Sequence, residues 1–483
     1  MQYKYVVLTN TTIGAFMSQL DANIVLISLP TMLKPSQLPG TTVFDGIWII
    51  MGYTLVTATT LLTIGRLGDI FGRVRLYNFG FAVFTVGSGL CSVAPDGTFL
   101  VFMRLVQGVG AALILSNNAA ILTDAFPVTE RGKALGINQI AGVAGSILGL
   151  VGGGFLTTLL GWRSIFWINL APGIFATVWA YMKLKDLGPR PVGERLDPLG
   201  NVLFGGGLLV FLLGLTLSAI TGWSYDKDLL MVGGLVTLGL FAFVEARVKS
   251  PMIDVRLFRI RAFAAGALAN LLTSISRSSF SLILVFYFQG VLLYSALESG
   301  ILLLPFAIAF VIIGPLSGYL SDRIGPRRLT TFGMVLSAVS FLFFSTLPSG
   351  VPYTTLVLPM ILTGVGGGMF FAPNVAAIMN SVPPAQRGVA SGVSSTLFSV
   401  GSLLSLGVLF AIFGESVPLS ALQDIFAGVA PPSGSLSIGL FVDAMHLAFI
   451  VMAVLSLLAA IPASQTGSRP KETVIYRNES FSG

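Results

Sequence analysis

Charge, cysteine and histidine are all scarce in this sequence, and each shortage removes a class of protein. Of 483 residues only 10% are Asp, Glu, Lys or Arg, against roughly 25% in a soluble domain. The single cysteine, Cys91, rules out an intramolecular disulfide, and the single histidine, His446, leaves no ligand set for a histidine metal site. No phosphate-cradling P-loop, dinucleotide fingerprint or Ser/His/Asp arrangement occurs, and almost no soluble mass is present to house one. A membrane enzyme or sensor and a single-chain ATP-driven pump are therefore disfavoured, and no cofactor is expected. What fills the chain is apolar: 54% hydrophobic residues and a mean hydropathy of +0.89 leave too few polar side chains to cover a water-soluble surface. The 56 glycines suit helices packed closely in lipid. A net charge of +7 could suggest nucleic acid, but the basic residues sit in short clusters between apolar runs. In a membrane protein that pattern sets topology, so the expected partner is the lipid bilayer and not nucleic acid.

A helix crossing a hydrocarbon core of ~30 Å needs about 20 mostly apolar residues. On that rule spans fall near 7–30, 44–64, 74–94, 98–122, 134–158, 164–184, 199–219, 228–248, 262–291, 298–320, 329–348, 354–378, 388–413 and 439–463. The N-terminal stretch runs into the first of these with no small-residue cleavage site, so it reads as a retained span. With fourteen spans, twenty-two Lys and Arg fall on one side and three (Lys34, Arg163, Lys227) on the other, while Arg104 and Arg277 lie within spans. Miscounting by one span would scatter these clusters, so the asymmetry supports the count together with an orientation that puts both termini in the cytoplasm of a cell (plasma) membrane protein.

The chain also repeats itself. GRLGDIFGRVRL at 65–76 recurs as GYLSDRIGPRRL at 318–329, an offset of 253, and GVGAALILSNNAAILTDAFP at 108–127 recurs as GVGGGMFFAPNVAAIMNSVP at 364–383, an offset of 256. Each copy holds six spans and starts from the same side, so the repeat is parallel, and a site between the copies is the default for such transporters. The expectation is an all-α membrane protein. It has a first six-helix half at 1–190, an inserted pair with its linkers at 191–260, a second half at 261–465 and a cytoplasmic tail at 466–483.

These residues resemble the major facilitator superfamily, and within it the fourteen-span drug:proton antiporter family, over nearly the whole chain. The strongest element is Gly65-x-Leu67-x-Asp69-x-x-Gly72-Arg73 with Arg75, echoed at Gly318, Asp322, Arg323, Gly325, Arg327 and Arg328. It is similar to the superfamily's signature loop between its second and third spans. Arg104-x-x-Gln107-Gly108 is similar to the arginine motif of proton-coupled members, and Leu20-Asp21-x-x-Ile24-Val25 through Leu29-Pro30 to a first-span motif of the drug exporters. Trp162-Arg163 with Phe166, Ile168-Asn169 and Pro172-Gly173 is similarly characteristic. The antiporter motif of the fifth span usually has Gly-Pro followed by Gly-Gly. Here Gly145 and Gly149 precede Leu150, with Gly153 and Gly154 in place, so the packing glycines are kept without the proline kink. The resemblance implies a major-facilitator-type fold and proton-coupled export of amphipathic organic compounds by alternating access. Its rival is a facilitator or proton symporter importing a polar or anionic metabolite, in keeping with Leu150 and Arg277.

Three charges stand out in mid-membrane. A carboxylate there costs ~2.5–3.5 kcal/mol on insertion scales, so Asp21 must be paired, protonated or facing water. Helix rise puts Asp21 ~22 Å above the start of its span and Arg104 ~21 Å up in a ~30 Å core, so the two match in depth. Protonation of Asp21 weakening an Asp21–Arg104 pair is the expected coupling step, and a static pair joining the first and fourth spans is the alternative. Arg277 lies at the same estimated depth and 256 residues beyond Asp21, near its repeat-related position. It could face the cavity and attract an anionic substrate, compete with Arg104 for Asp21, or be satisfied by backbone carbonyls. Gln19, Asn23, Asn117, Asn138, Asn270, Gln289 and Asn374 are cavity-lining candidates, each equally explained as an interhelical hydrogen bond. So are Asn118 and Gln139. Asp443 and His446 share a helical face near the outer interface and form a weaker candidate protonatable pair, and Glu298 has similar standing. Gly65, Asp69, Gly72, Arg73, Asp322, Arg323 and Arg327 form the expected cytoplasmic gate, following the resemblance. A small-molecule substrate, protons as coupling ion and a monomeric state complete the expectation.

Overall fold

The computed structural model describes residues 2–127, 130–187, 196–248, 251–253, 255–383, 386–430 and 435–466. The linker residues 188–195 and the tail from 467 to 483 lie outside these. Among the described residues, fourteen long helical stretches follow one another: α1 (Tyr3–Met32), α2 (Val43–Phe71), α3 (Arg73–Ser92), α4 (Gly97–Ala125), α5 (Arg131–Leu160), α6 (Ser164–Lys183), α7 (Pro198–Thr221) and α8 (Tyr225–Glu245). Then come α9 (Arg261–Val291), α10 (Ala296–Ile324), α11 (Pro326–Phe344), α12 (Tyr353–Asn380), α13 (Arg387–Ser416) and α14 (Ser435–Ala463). Thirteen are long and apolar enough to cross a membrane by themselves. The fourteenth, α3, carries Arg73, Arg75, Tyr77 and Asn78 in its first two turns. It holds its place by burying Tyr77, Phe81 and Phe84 against α4.

Local chemistry sets where these helices begin and break. Thr42 and Asp45 form a reciprocal capping box at the start of α2, with Thr42 N donating to Asp45 Oδ2 at 2.9 Å. Asp96 caps α4 by accepting from Phe99 N at 2.8 Å, and Ser295 with Glu298 caps α10. Gly72 (φ 102°) and Gly325 (φ 85°) make the turns into α3 and α11, backbone conformations that L side chains resist. That is the physical reason for glycine at these two repeat-related places. α6 is interrupted at Ile168–Asn169, and α9 breaks at Ser278–Ser279, directly after Arg277.

The packing pairs recur along the chain. α1 lies on α4, α5 and α6, and α9 lies on α12, α13 and α14; α3 packs α4 as α11 packs α12. The pair α7–α8 attaches through α7, which touches both α2 and α13. Across the middle, α5 meets α10 at one end only. There a Cβ on Gly154 would collide with the Ala296 carbonyl, and one on Gly300 would come within 2.7 Å of the Leu150 oxygen. Gln289 adds a hydrogen bond to the Ile27 carbonyl at 2.8 Å. Towards the end bearing the basic loops, Gly132 and Gly136 of α5, Gly314 of α10 and Gly388 of α13 have nothing within 4 Å of an added Cβ. The α5–α10 contact is thus confined to one end, while α2 and α13 also meet, a Cβ on Gly392 coming within 2.7 Å of the Leu62 side chain.

Candidate functional site

Glycines on α5 decide which way α1 faces. A Cβ on Gly145 would collide with the Phe16 carbonyl, and one on Gly149 would sit 2.7 Å from the Leu20 oxygen. Gly153 lies against Ile24. With α5 flush on that side, Asp21 turns towards α4 and α6 and is wholly buried.

Four polar groups meet there. Arg104 Nη1 donates to Asp21 Oδ2 at 2.5 Å and to Gln107 Oε1 at 2.7 Å, while Arg104 Nε donates to the Ile49 carbonyl at 3.2 Å. Gln107 Nε2 and Asn169 Nδ2 each donate to Asp21 Oδ1 at 2.8 Å. Arginine has no acceptor atom, so its bond to Gln107 fixes the amide oxygen towards Arg104 and the amide nitrogen towards Asp21. The Tyr53 ring lies 4.3 Å from the guanidinium carbon, within cation–π range. The carboxylate thus receives three donors and the guanidinium is paired, which makes a buried charge pair tolerable. A proton on Oδ1 would confront two N–H donors, and one on Oδ2 would confront the guanidinium, so the geometry ties this carboxylate to α4 and α6.

Gln107 was marked by its motif. Asn169, Tyr53 and Ser88, which accepts from Asn169 at 3.2 Å, were not assigned to the site by spacing. The available signal for Asn169 was a polar residue beside Pro172-Gly173 in an apolar span, which here sits at the break in α6.

Arg277 is elsewhere. Its Nη1 donates to Ser337 Oγ at 2.9 Å and to the Thr363 carbonyl at 3.0 Å, both within the second set. It does not compete for Asp21, whose three donors all come from α4 and α6.

The remaining candidates divide. Gln19 is exposed and Asn23 and Asn138 partly so, on the α1 and α5 surfaces. Asn270 donates to the Ser394 carbonyl at 2.9 Å and Asn374 to the Gly266 carbonyl at 3.1 Å, so both are interhelical ties. Asn117 donates to the Leu113 carbonyl at 2.9 Å within its own helix and abuts Gly68 of α2. His446 bonds the Leu347 carbonyl at 2.7 Å while Asp443 is exposed, so these two form no pair; Leu347 is the nearer acceptor. In the signature loop Arg73 bonds Asp69 at 2.7 Å and Asp124 at 2.8 Å, tying α2, α3 and α4. The second copy differs: Asn380 stands where Asp124 is repeated, Asp322 and Arg327 are exposed, and Arg323 bonds the Tyr319 hydroxyl.

This architecture, with a buried charge cluster in one of two repeated helical sets, is that of a polytopic transporter. The Major Facilitator Superfamily profile matches residues 11–406 and 266–473, and the chain belongs to that superfamily. It is 31% identical to the riboflavin transporter RibZ of Clostridioides difficile, over 86% of this chain and 90% of that one. It is also 31% identical to the cephamycin export protein CmcT of Amycolatopsis lactamdurans, over 86% of this chain and 87% of the relative. Among solved structures, an auto-inhibited POT-family peptide transporter superposes with a TM-score of 0.67 at 16% identity, covering 99% of both chains, a likeness of fold alone.

Proposed function

We propose that this transporter exports amphipathic organic compounds in exchange for protons, with Asp21 as the proton-binding group and Arg104 as its charge partner. The observation that carries the reading is the carboxylate surrounded by donors. Asp21 accepts from Arg104, Gln107 and Asn169 on two other helices, so its protonation state and the packing of α1 change together. Names among the relatives favour organic cargo, riboflavin in one and cephamycin export in another. The two sets meet where Gly154 abuts Ala296 and Gly300 abuts Leu150, with Gln289 bonded to the Ile27 carbonyl. The Arg73–Asp69–Asp124 knot then acts as the cytoplasmic latch, holding α2, α3 and α4 as one body during rocking.

Proteoliposomes loaded with a pH-sensitive dye provide the test, using a panel of organic dyes and antibiotics under imposed pH gradients of either sign. Export requires uphill substrate movement only with proton flow in the opposite direction. Uphill movement in the same direction as protons identifies the importing symporter instead, and movement indifferent to the gradient identifies a facilitator.

A further inference from the structure

The second set of helices carries a buried cation that the proton site does not use. Arg277 is 9% exposed, and Nη1 alone accounts for both of its protein hydrogen bonds among the described residues, to Ser337 Oγ and the Thr363 carbonyl. Both acceptors are neutral, and no carboxylate lies within ion-pair distance of it among the described residues. Nε and Nη2 make no hydrogen bond among the described residues and are not wholly enclosed. A guanidinium has five N–H donors, and two neutral bonds leave most of that capacity and the whole charge uncompensated.

The surroundings are shaped for more than an idle arginine. Gly367 of α12 lies directly under Nη2, where any Cβ would collide with the guanidinium, so glycine makes the room it occupies. The same position touches the Phe310 ring, at 3.1 Å from the would-be Cβ. Phe310 is 5.7 Å from Phe371, which is 5.4 Å from Phe398, all edge-on and all partly exposed. These three rings come from α10, α12 and α13. The helix pair is also the repeat of the proton site: 256 residues separate Asp21 from Arg277 and likewise Gln107 from Thr363. The two sets place opposite charges at matching points, but only the first set supplies the counter-charge.

We propose that Arg277 and the Phe310–Phe371–Phe398 rings form a substrate subsite for an aromatic anion, the carboxylate or sulfonate bonding the free face of the guanidinium while the aromatic body packs on the rings. The charge missing from the protein is then brought by the cargo. This rests on the transporter reading but not on proton coupling. Binding at equilibrium therefore tests it separately.

The test uses purified protein in nanodiscs and three probe pairs: fluorescein, 9-anthracenecarboxylate and 2-naphthoate, each against its methyl ester. Tryptophan quenching or dye anisotropy reads the affinity. Wild-type protein should bind the acids more tightly than the esters. Arg277→Ala should lose the acids by at least about ten-fold, the equivalent of one charge-assisted hydrogen bond, and leave the esters unchanged. Arg277→Lys should keep part of the acid preference. Gly367→Ala, which retains the charge but evicts the guanidinium, should lose it. Monodispersity on size exclusion identifies any variant that does not fold, and the wild-type preference and Arg277→Lys then decide. No acid preference in wild type across the three pairs, or an acid preference untouched by Arg277→Ala, overturns the proposal. Asp21→Asn should retain acid binding even if it loses every pH-driven flux. Acid binding without gradient-driven transport would therefore sink the exchange reading and spare this one.

Discussion

Arg104 and Arg277 are both buried arginines at similar depth in the two sets of helices, yet they are held in opposite ways. Arg104 sits in a closed circuit with Asp21, Gln107, the Ile49 carbonyl and the Tyr53 ring. Arg277 has a hydroxyl and one carbonyl, and its Nε and Nη2 have no protein hydrogen bond among the described residues. The repeated frameworks hold different occupants: one set buries an internal charge pair, and the other buries a charge with no carboxylate within ion-pair distance among the described residues.

Stability gives the sharpest way to break this contrast. Removing one member of a buried pair strands the other, so Arg104→Ala should lower unfolding free energy by about 3–5 kcal/mol, read as a fall in melting temperature in detergent. Arg277→Ala strands no charge and should cost at most about 1–3 kcal/mol. Equal losses, or a larger one at Arg277, would contradict the distinction. The double change Asp21→Asn with Arg104→Gln removes both charges together and should melt above Arg104→Ala alone. Gln107→Leu deletes a donor to Asp21 and the acceptor for Arg104, and should cost roughly 1–3 kcal/mol. A cost near zero there would mean that the circuit is not shared. Asn169→Leu removes one donor from a carboxylate that keeps two others, so the smallest loss, about 1 kcal/mol, is expected by the same thermal assay.

Much of this was legible before any coordinates, for identifiable reasons. The apolar-length rule placed all fourteen spans and the charge split supported the count; thirteen stand by themselves on length and apolarity, while α3 is polar at its start. Helix rise brought Asp21 and Arg104 to one depth, because rise per residue is nearly constant. Facing direction was harder to read. Arg277 shares that depth, but it turns towards α11 and α12, and rotation about a helix axis is fixed by neighbours. Asn270 and Asn374 illustrate the same limit: polarity in an apolar span was plain, but whether each met water or a carbonyl depended on which helix lay opposite. Asn169 escaped for another reason. It reaches the carboxylate from the break in α6, whose position the sequence pattern did not mark.

The most direct measurement is substrate-triggered proton release from the solubilised transporter in weak buffer, followed with a pH dye, for wild type and Asp21→Asn. The expected result is release from wild type and none from Asp21→Asn, with substrate affinity retained in both. Release of equal size from Asp21→Asn would show that another group carries the proton and would contradict the assignment of coupling to the Asp21–Arg104 pair.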